Sequence, residues 1–462
     1  MHKFKSIYSL IIFGFIISIF LANFNLNKFD KNESEINSYN VPSHLMIKSD
    51  IALIWQEAEM FKNDIFAGKD FLASGKEYRR TYLPSKIIAV ISIIFHKDLY
   101  ENYNKRLIKI GEKFIFLFLQ ISFFYLSLIF FYKKLSLFIT DKKTVYFTIL
   151  FLSIEPTILQ WHSTFWTESV YFSLLMLTLG LIINSNKSFY NFGLIGIMLG
   201  LLYLQKSVSI LLIVPLIFYF LFIRIDKKIF KIILLSSLYG LILITLGYSN
   251  FLKTGSFYIL SPQTKEAAQY AYLLPSIYIE KNKKEKNTDP YPILEIENKW
   301  KKENNFDKDS FNDYLELGKF KQSMAIKVML DNKLITLKLY TLGIINHALL
   351  NPFQAHAWHE YNKVKYKPTQ YHLSEDKKKL LKYRIAYSLF IFSIILFGLK
   401  RIIAQKKNVL FYLLILILIA YFTVMLGWIG YTRYFMPSLI LMSVFFGNGV
   451  SSILDLLKKN KN

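Results

Sequence analysis

A glutamate stands at the start of a long uncharged stretch of this sequence. Within QWHSTFWTESVYFSLLMLTLGLII, residues 160–183, Glu168 is followed by fifteen residues without a charge, which is most of the length of a bilayer crossing. A carboxylate at that depth loses much of its hydration, so it needs water, a partner or a chemical role. General-base catalysis is one such role, since a positioned carboxylate can orient a hydroxyl or amine and take its proton.

Other ionisable side chains complement such a carboxylate. Asp50 lies early in the polar segment that precedes the second apolar stretch. Cations near a reacting group neutralise charge that develops in the transition state, above all on a departing phosphate. The basic residues placed to do so are Arg79, Arg80, Lys206 and Arg433. Structural interpretations stand beside these: Asp50 as a solvated loop charge, Lys206 as a lysine that reaches the headgroups, and Arg433 as an interfacial anchor.

The composition indicates what must carry these residues. Of 462 residues, 53% are hydrophobic and 17% aromatic, and the apolar residues come in blocks of about the length of a membrane span. The formal net charge is +25, but many lysines and arginines lie in short links between apolar blocks, and no basic helix or nucleic-acid motif is visible. Nucleic acid is therefore not an expected partner. The absence of cysteine excludes thiol catalysis, disulfides and cysteine-based metal sites.

The apolar blocks predict an all-α, multi-pass membrane protein with about ten transmembrane helices. The first block, with its basic start, is typical of an uncleaved signal anchor. The short links 133–143, 224–231 and 400–407 and the C-terminal tail are basic, which predicts that they face the cytoplasm. The predicted spans are 6–24, 113–132, 144–162, 164–184, 189–205, 207–224, 230–249, 385–399, 408–428 and 434–455.

This topology places two long segments, 25–112 and 250–384, on the outer face of a cell membrane. In the second, residues 279–309 are rich in charge and are expected to be an exposed loop. An amphipathic helix follows, with Ser310 and Asp313 as a start resembling a capping box. Residues 84–96 and 332–352 are expected to lie at the outer interface, although the latter also fits an eleventh span. The sequence predicts three units. Residues 1–250 are a catalytic membrane module, residues 251–384 an external segment, and residues 385–462 the C-terminal spans.

The order of motifs along the chain resembles the GT-C superfamily of membrane glycosyltransferases. The nearest branch is the bacterial relatives of protein O-mannosyltransferases and of the lipid A aminoarabinose transferase. The resemblance rests on an acid early in the first external segment, followed by residues similar to an Arg–Pro–Tyr–Pro element. It also rests on a proline a dozen residues before an acid that opens the fourth span, a GLLYLQK end of the fifth span, and an Arg-Tyr-x-x-Pro element at the last span. In this sequence the first acid is Asp50, and the element after it consists of Arg79, Arg80, Tyr82 and Pro84. The proline and the acid of the fourth span are Pro156 and Glu168. Lys206 ends the fifth-span motif, and Arg433, Tyr434 and Pro437 form the element at the last span.

The resemblance implies an enzyme that moves a sugar from a polyprenyl-phosphate donor to a lipid, glycan or protein acceptor on the outer face of the membrane. It implies Asp50 and Glu168 as the catalytic carboxylates, with Asp50 as general base and Glu168 positioning the acceptor or holding a cation. The residues that it implies for the donor phosphate are Arg79, Arg80, Lys206, Arg433 and Tyr434. Lys206 replaces the family's arginine, which keeps the charge but loses the bidentate fork.

Several alternatives stay open at the level of the sequence. A glycan polymerase or ligase that uses lipid-linked oligosaccharides would share the fold, and a transporter or flippase would need polar residues along several spans. The sequence identifies no cofactor, and a divalent metal is one candidate, for the pair His356 and His359 at helical spacing. Glu155, directly before Pro156, is expected to have a structural role or to line a cavity. Glu168 is expected to stay hydrated, so its replacement should leave stability unchanged.

Overall fold

The computed structural model of the protein describes residues 2–30, 50–75, 82–95, 113–162, 167–184, 187–260, 273–281, 292–307, 310–350, 375–406, 408–426 and 432–459. Within these ranges the chain is helical and contains no strand. The α-helices are α1 (His2–Asp30), α2 (Asp50–Phe66), α3 (Tyr82–Ile94), α4 (Lys113–Phe138), α5 (Lys142–Ile154), α6 (Pro156–His162), α7 (Thr167–Ile183), α8 (Phe189–Gln205), α9 (Ile213–Phe222), α10 (Lys228–Thr254), α11 (Leu274–Lys281), α12 (Pro292–Glu303), α13 (Phe311–Asp331), α14 (Lys333–Ala348), α15 (Glu375–Gln405), α16 (Val409–Leu426) and α17 (Thr432–Lys459).

Helices occupy every predicted span. Among the described residues, four helices are long and apolar enough to cross a membrane, namely α4, α10, α15 and α17, and shorter apolar helices of 10–17 residues accompany them. The predicted all-helical, multi-pass membrane fold is confirmed. Two predicted spans are interrupted: 144–162 is divided into α5 and α6, and 207–224 begins with the 3₁₀ helix Ser207–Leu211 before α9.

The first interruption has a local cause at Glu155 and Pro156. Proline lacks a backbone N–H and cannot continue the hydrogen-bond ladder of α5, so a new helix begins there. The Glu155 carboxylate accepts hydrogen bonds from the Thr157 hydroxyl at 2.7 Å and the Ile158 N–H at 2.8 Å. The hydroxyl of Tyr387, from α15, donates to the same carboxylate at 2.6 Å. Glu155 therefore caps α6 and ties it to α15, which is the structural role that the sequence favoured.

The helix ends that were predicted to share the cytoplasmic side meet at one end of the bundle. Asp141 caps α5 and accepts a hydrogen bond from the Ser451 hydroxyl at 2.7 Å. A guanidinium nitrogen of Arg401 lies 3.2 Å from Asp141 and 3.2 Å from Asp455. These contacts, together with the hydrogen bonds to Thr144 and Lys143, hold the pKa of Asp141 below its usual value although burial opposes the shift. The link 139–141 and the ends of α15 and α17 are thus one charged layer.

Close backbone approach holds neighbouring helices of the bundle together. A side chain at Gly196 of α8 would come within 2.4 Å of the Leu235 carbonyl oxygen of α10. Likewise, a side chain at Gly398 of α15 would come within 1.9 Å of the Phe445 carbonyl oxygen of α17. Small residues let helix backbones meet where lipid supplies no hydrophobic drive for association. Glycine at these two positions therefore allows α8 to pack closely on α10, and α15 on α17.

Helices α2 and α3, in the segment predicted to be the first external one, pack at the opposite end of the bundle. Helix α2 packs on α3, and Trp55 makes an edge-to-face contact of 5.1 Å with Phe116 of α4. In the last turn of α2, the Asp64 carboxylate accepts hydrogen bonds from the Lys69 ammonium at 2.6 Å and the Gly75 N–H at 2.9 Å. Burial alone would raise the pKa of Asp64, but these hydrogen bonds and the positive charge of Lys69 lower it.

The segment predicted to be the second external one differs in its secondary structure from the prediction. Residues 292–303, expected to lie in an exposed loop, form α12, with Glu295 in the first turn and lysines in the last turn as the helix dipole favours. The predicted start of α13 is confirmed, since the Ser310 hydroxyl accepts the Asp313 N–H at 3.3 Å. Helix α14 has 16 residues, about 24 Å of helix, which is shorter than the ~30 Å hydrocarbon core.

Candidate functional site

Glu168 and Lys206 form a buried ion pair at the end of the bundle away from the charged layer. The Lys206 ammonium donates to a carboxylate oxygen of Glu168 at 2.7 Å. Their side chains are 2% and 13% exposed. Glu168 lies in the first turn of α7, where the positive end of the helix dipole favours a carboxylate. Two of the residues that the sequence predicted for the site are therefore in direct contact.

Lys206 owes its position to the second interruption of the helices. Its backbone is extended, with φ −148° and ψ 118°, and it ends α8 while starting the 3₁₀ helix. Ser207 and Ser209 favour hydrogen bonds that compete with a regular helix, and Pro215 in the first turn of α9 cannot donate to the carbonyl four residues before it. A regular α-helix consequently resumes only at Ile213.

Three tyrosines from three helices hold this 3₁₀ segment. The Tyr421 hydroxyl of α16 donates to the Val208 carbonyl oxygen. The Tyr239 hydroxyl of α10 donates to the Ile210 carbonyl oxygen at 2.8 Å, and the Tyr171 hydroxyl of α7 lies 2.8 Å from the Ser209 hydroxyl. Backbone groups freed by an interrupted helix must find other partners inside a membrane protein. We call Tyr171, Tyr239 and Tyr421 the tyrosine clamp, and it fixes the backbone that carries Lys206.

The Lys206 ammonium is held between a carboxylate and an aromatic ring. An ammonium has three donors, and Glu168 accepts one of them, while the Tyr171 ring lies 5.5 Å from the nitrogen at cation–π distance. Glu168 in turn keeps a buried lysine charged and oriented, because removal of either partner leaves an uncompensated charge.

The remaining predicted site residues are described less fully. Asp50 is the first residue of α2, and Arg433 and Tyr434 lie in the first turn of α17, but the structure describes only their backbone. Arg79, Arg80, His356 and His359 lie outside the described residues. Their roles in catalysis, donor binding and metal binding stay predictions. Among the residues that the structure describes, no three His, Asp or Glu side chains are close enough to hold a metal ion.

One expectation about Glu168 is wrong. The hairpin tip was expected to keep this carboxylate hydrated and outside any core, whereas Glu168 is 2% exposed. The reason is tertiary: α8 and the 3₁₀ segment pack beside the start of α7 and supply Lys206 in place of water. The tyrosine clamp was not identified from the sequence either. The available signal was a tyrosine within each of three apolar stretches, because a buried tyrosine hydroxyl needs a hydrogen-bond partner.

Comparison with known proteins supports the fold. No protein-family model matches the chain, and no curated protein matches it in sequence. Among solved structures, the chain is similar to the oligosaccharyltransferase of Archaeoglobus fulgidus in its apo form, with a TM-score of 0.52 and 13% sequence identity. The alignment covers 98% of this chain and 51% of that enzyme, so the chain spans about half of its length. At this identity the likeness is one of fold alone.

Proposed function

We propose that the protein is a membrane glycosyltransferase that moves a sugar from a polyprenyl-phosphate donor to a lipid, glycan or protein acceptor. The observation that carries the proposal is the Glu168–Lys206 pair, a clamped cation next to a carboxylate at one end of the bundle. The shared fold with an oligosaccharyltransferase supports it. By the distribution of basic links, this end faces the outside of a cell membrane.

The proposed reaction is a displacement at the anomeric carbon of the donor sugar. A carboxylate takes the proton of the acceptor hydroxyl or amine, whose oxygen or nitrogen forms the new bond to the anomeric carbon. The bond between that carbon and the phosphate oxygen breaks, and its electron pair leaves with the polyprenyl phosphate. Asp50 at the start of α2 is the proposed base. Nearby cations stabilise the charge that collects on the phosphate.

Lys206 and Glu168 have distinct proposed roles in this reaction. Lys206 places its positive charge against a phosphate oxygen of the donor. Glu168 acts mainly by holding this cation, which is one of the two roles that the sequence predicted for it. The tyrosine clamp keeps the ammonium in place, since a displacement of about 1 Å at a positioning group can cost about 100-fold in rate.

The proposal is tested with purified protein, a set of polyprenyl-phosphate sugars and membrane extract as the source of acceptors. Transfer by the wild-type protein is expected, with a large loss in Lys206→Ala and near-complete retention in Lys206→Arg, because arginine keeps the charge. Arg224→Ala, a cation on the opposite side of the bundle, is the matched control and should be active. The absence of transfer with every donor, or equal activity of Lys206→Ala and the control, would contradict the proposal.

A second candidate is the transfer of a whole oligosaccharide from a lipid-linked donor. It is favoured by the fold neighbour, which is an oligosaccharyltransferase. The two candidates differ in the mass that one turnover adds to the acceptor. Intact mass spectrometry of acceptors from the same assay separates them: single-sugar increments support the first candidate, and one large increment supports the second.

A further inference from the structure

A cleft in the second predicted external segment is lined by both aromatic and charged side chains. It lies between the end of α12 and the first half of α13 and has a volume of about 550 Å³. This is within the range of about 300–1,000 Å³ that is common for small-molecule sites. Its lining combines three aromatic side chains with amide, carboxylate, ammonium and hydroxyl groups: Trp300, Asn304, Phe306, Asp313, Glu316, Lys319, Phe320 and Ser323.

The aromatic part of this cleft is fixed by contacts between α12 and α13. Trp300 and Phe320 stack with centroids 5.2 Å apart and an angle of 18° between their planes. Phe306, in the link after α12, meets Tyr314 edge to face at 5.2 Å. The aromatic rings on the cleft are half-buried, so each is held by packing and still reachable from the cleft.

An ion-pair network also joins α12 and α13. Glu297 of α12 lies 2.6 Å from the Lys301 ammonium and 3.3 Å from the Lys321 ammonium of α13, and all of these side chains are at most a third exposed. Burial alone would raise the pKa of Glu297, but the hydrogen bond and charge of Lys301 and the charge of Lys321 lower it. The two helices that line the cleft are consequently fixed relative to each other.

The polar groups around the rings are arranged for a ligand rich in hydroxyls. Glu316 and Lys319, both more than half exposed, form an ion pair of 2.6 Å at the cleft, which offers acceptors and donors side by side. Asp313 accepts the Asp307 N–H through one carboxylate oxygen, and the other oxygen can accept from a ligand. Two carboxylates and one ammonium give the lining no excess of positive charge, so it does not favour a phosphate or a nucleic acid.

We propose that this cleft binds a short carbohydrate. Sugar rings present a face of C–H groups whose partial positive charge suits the electron-rich face of an aromatic ring, and a rim of hydroxyls that bind carboxylates and amides. The cleft supplies both elements within one site. Resting on the proposed function, the bound carbohydrate is the glycan part of the acceptor, held by α12 and α13. This narrows the acceptor from lipid, glycan or protein to a molecule that already carries sugar.

The test measures binding separately from transfer, with the full-length protein in lipid nanodiscs. The probes are an array of bacterial glycans, followed by fluorescence titration with the oligosaccharide that gives the strongest signal. Three variants are compared with the wild type. Trp300→Ala removes an aromatic face, Glu316→Ala removes an exposed polar group without touching the packing, and Glu303→Gln alters an exposed residue of α12 that does not line the cleft.

Binding of at least one glycan to the wild type is expected, with the dissociation constant raised about tenfold or more in Trp300→Ala. A rise of several-fold is expected in Glu316→Ala and none in Glu303→Gln. No glycan bound by the wild type, or binding unchanged in both cleft variants, overturns the inference. Glycan binding without sugar transfer from any donor would remove the proposed function and keep the cleft. Sugar transfer without glycan binding would remove the carbohydrate cleft and keep the proposed function.

Discussion

Removal of one member of the Glu168–Lys206 pair should destabilise the protein, and removal of both should cost far less than the sum. The charges are 2.7 Å apart and their side chains are 2% and 13% exposed. At an effective dielectric constant of about 20, the attraction is ~6 kcal/mol, and it is largely offset by several kcal/mol of desolvation for each ion. Lys206→Met leaves the carboxylate buried without its cation, so we expect a loss of about 3–5 kcal/mol.

The double variant distinguishes a pair from two independent residues. Glu168→Gln combined with Lys206→Met removes both charges and keeps the side-chain volumes nearly unchanged. The coupling free energy should reach about 2 kcal/mol or more, near the upper end for residues in contact. This expectation replaces the one drawn from sequence, in which substitution of Glu168 left stability unchanged, because the carboxylate is packed and not hydrated.

The assay is reversible unfolding in mixed micelles, followed by tryptophan fluorescence, for the wild type, both single variants and the double variant. The exposed pair Lys299–Glu303, with an N–O distance of 3.8 Å on α12, is the matched control and should couple by only ~0.3–0.5 kcal/mol. If the two buried substitutions add within about 0.5 kcal/mol, as distant sites do, the ion pair is absent and the role given to Glu168 fails with it.

Three further predictions concern catalysis, topology and pH. Asp50→Asn should lower the rate of sugar transfer by at least about 100-fold, as expected for loss of a general base, and near-wild-type transfer would remove Asp50 from the mechanism. Because the chain has no native cysteine, an impermeant thiol reagent on intact cells should label Lys302→Cys and spare Asp226→Cys, and the reverse pattern would invert the topology. Hydrogen bonds and charge from Lys69 and the Gly75 N–H lower the pKa of Asp64 although burial opposes the shift. The ionised Asp64 carboxylate therefore stabilises the turn fully above its unfolded pKa of about 3.9. This stabilisation is lost as the pH falls through the lower folded pKa. Hydrogen exchange of residues 64–75 should therefore be faster in Asp64→Asn than in wild type at pH 7, and the difference should vanish at low pH; a difference that persists there would contradict this account.

The sequence by itself determined the membrane architecture. Long apolar blocks predict spanning helices because a bilayer core leaves backbone groups no partner outside the helix. The basic links predicted which helix ends share a side, and contacts between Lys143, Arg401 and Asp455 agree with that grouping. Residue type also predicted one of the breaks, since Pro156 lies in the middle of a predicted span, where proline removes a backbone hydrogen bond.

Tertiary structure alone decided which polar residues meet. Glu168 and Lys206 are 38 residues apart, and nothing in the local pattern of either indicates that α7 and α8 pair them and exclude water. The same holds for the tyrosine clamp, in which three helices converge on one short 3₁₀ segment. Helix α12 was missed for a related reason: its own sequence is highly charged, and its order comes from Glu297 and Trp300 contacting a second helix. The length of the apolar blocks predicts which segments become spanning helices. Ion pairs, stacked rings, clefts and short charged helices depend instead on side chains that only packing between helices brings within reach.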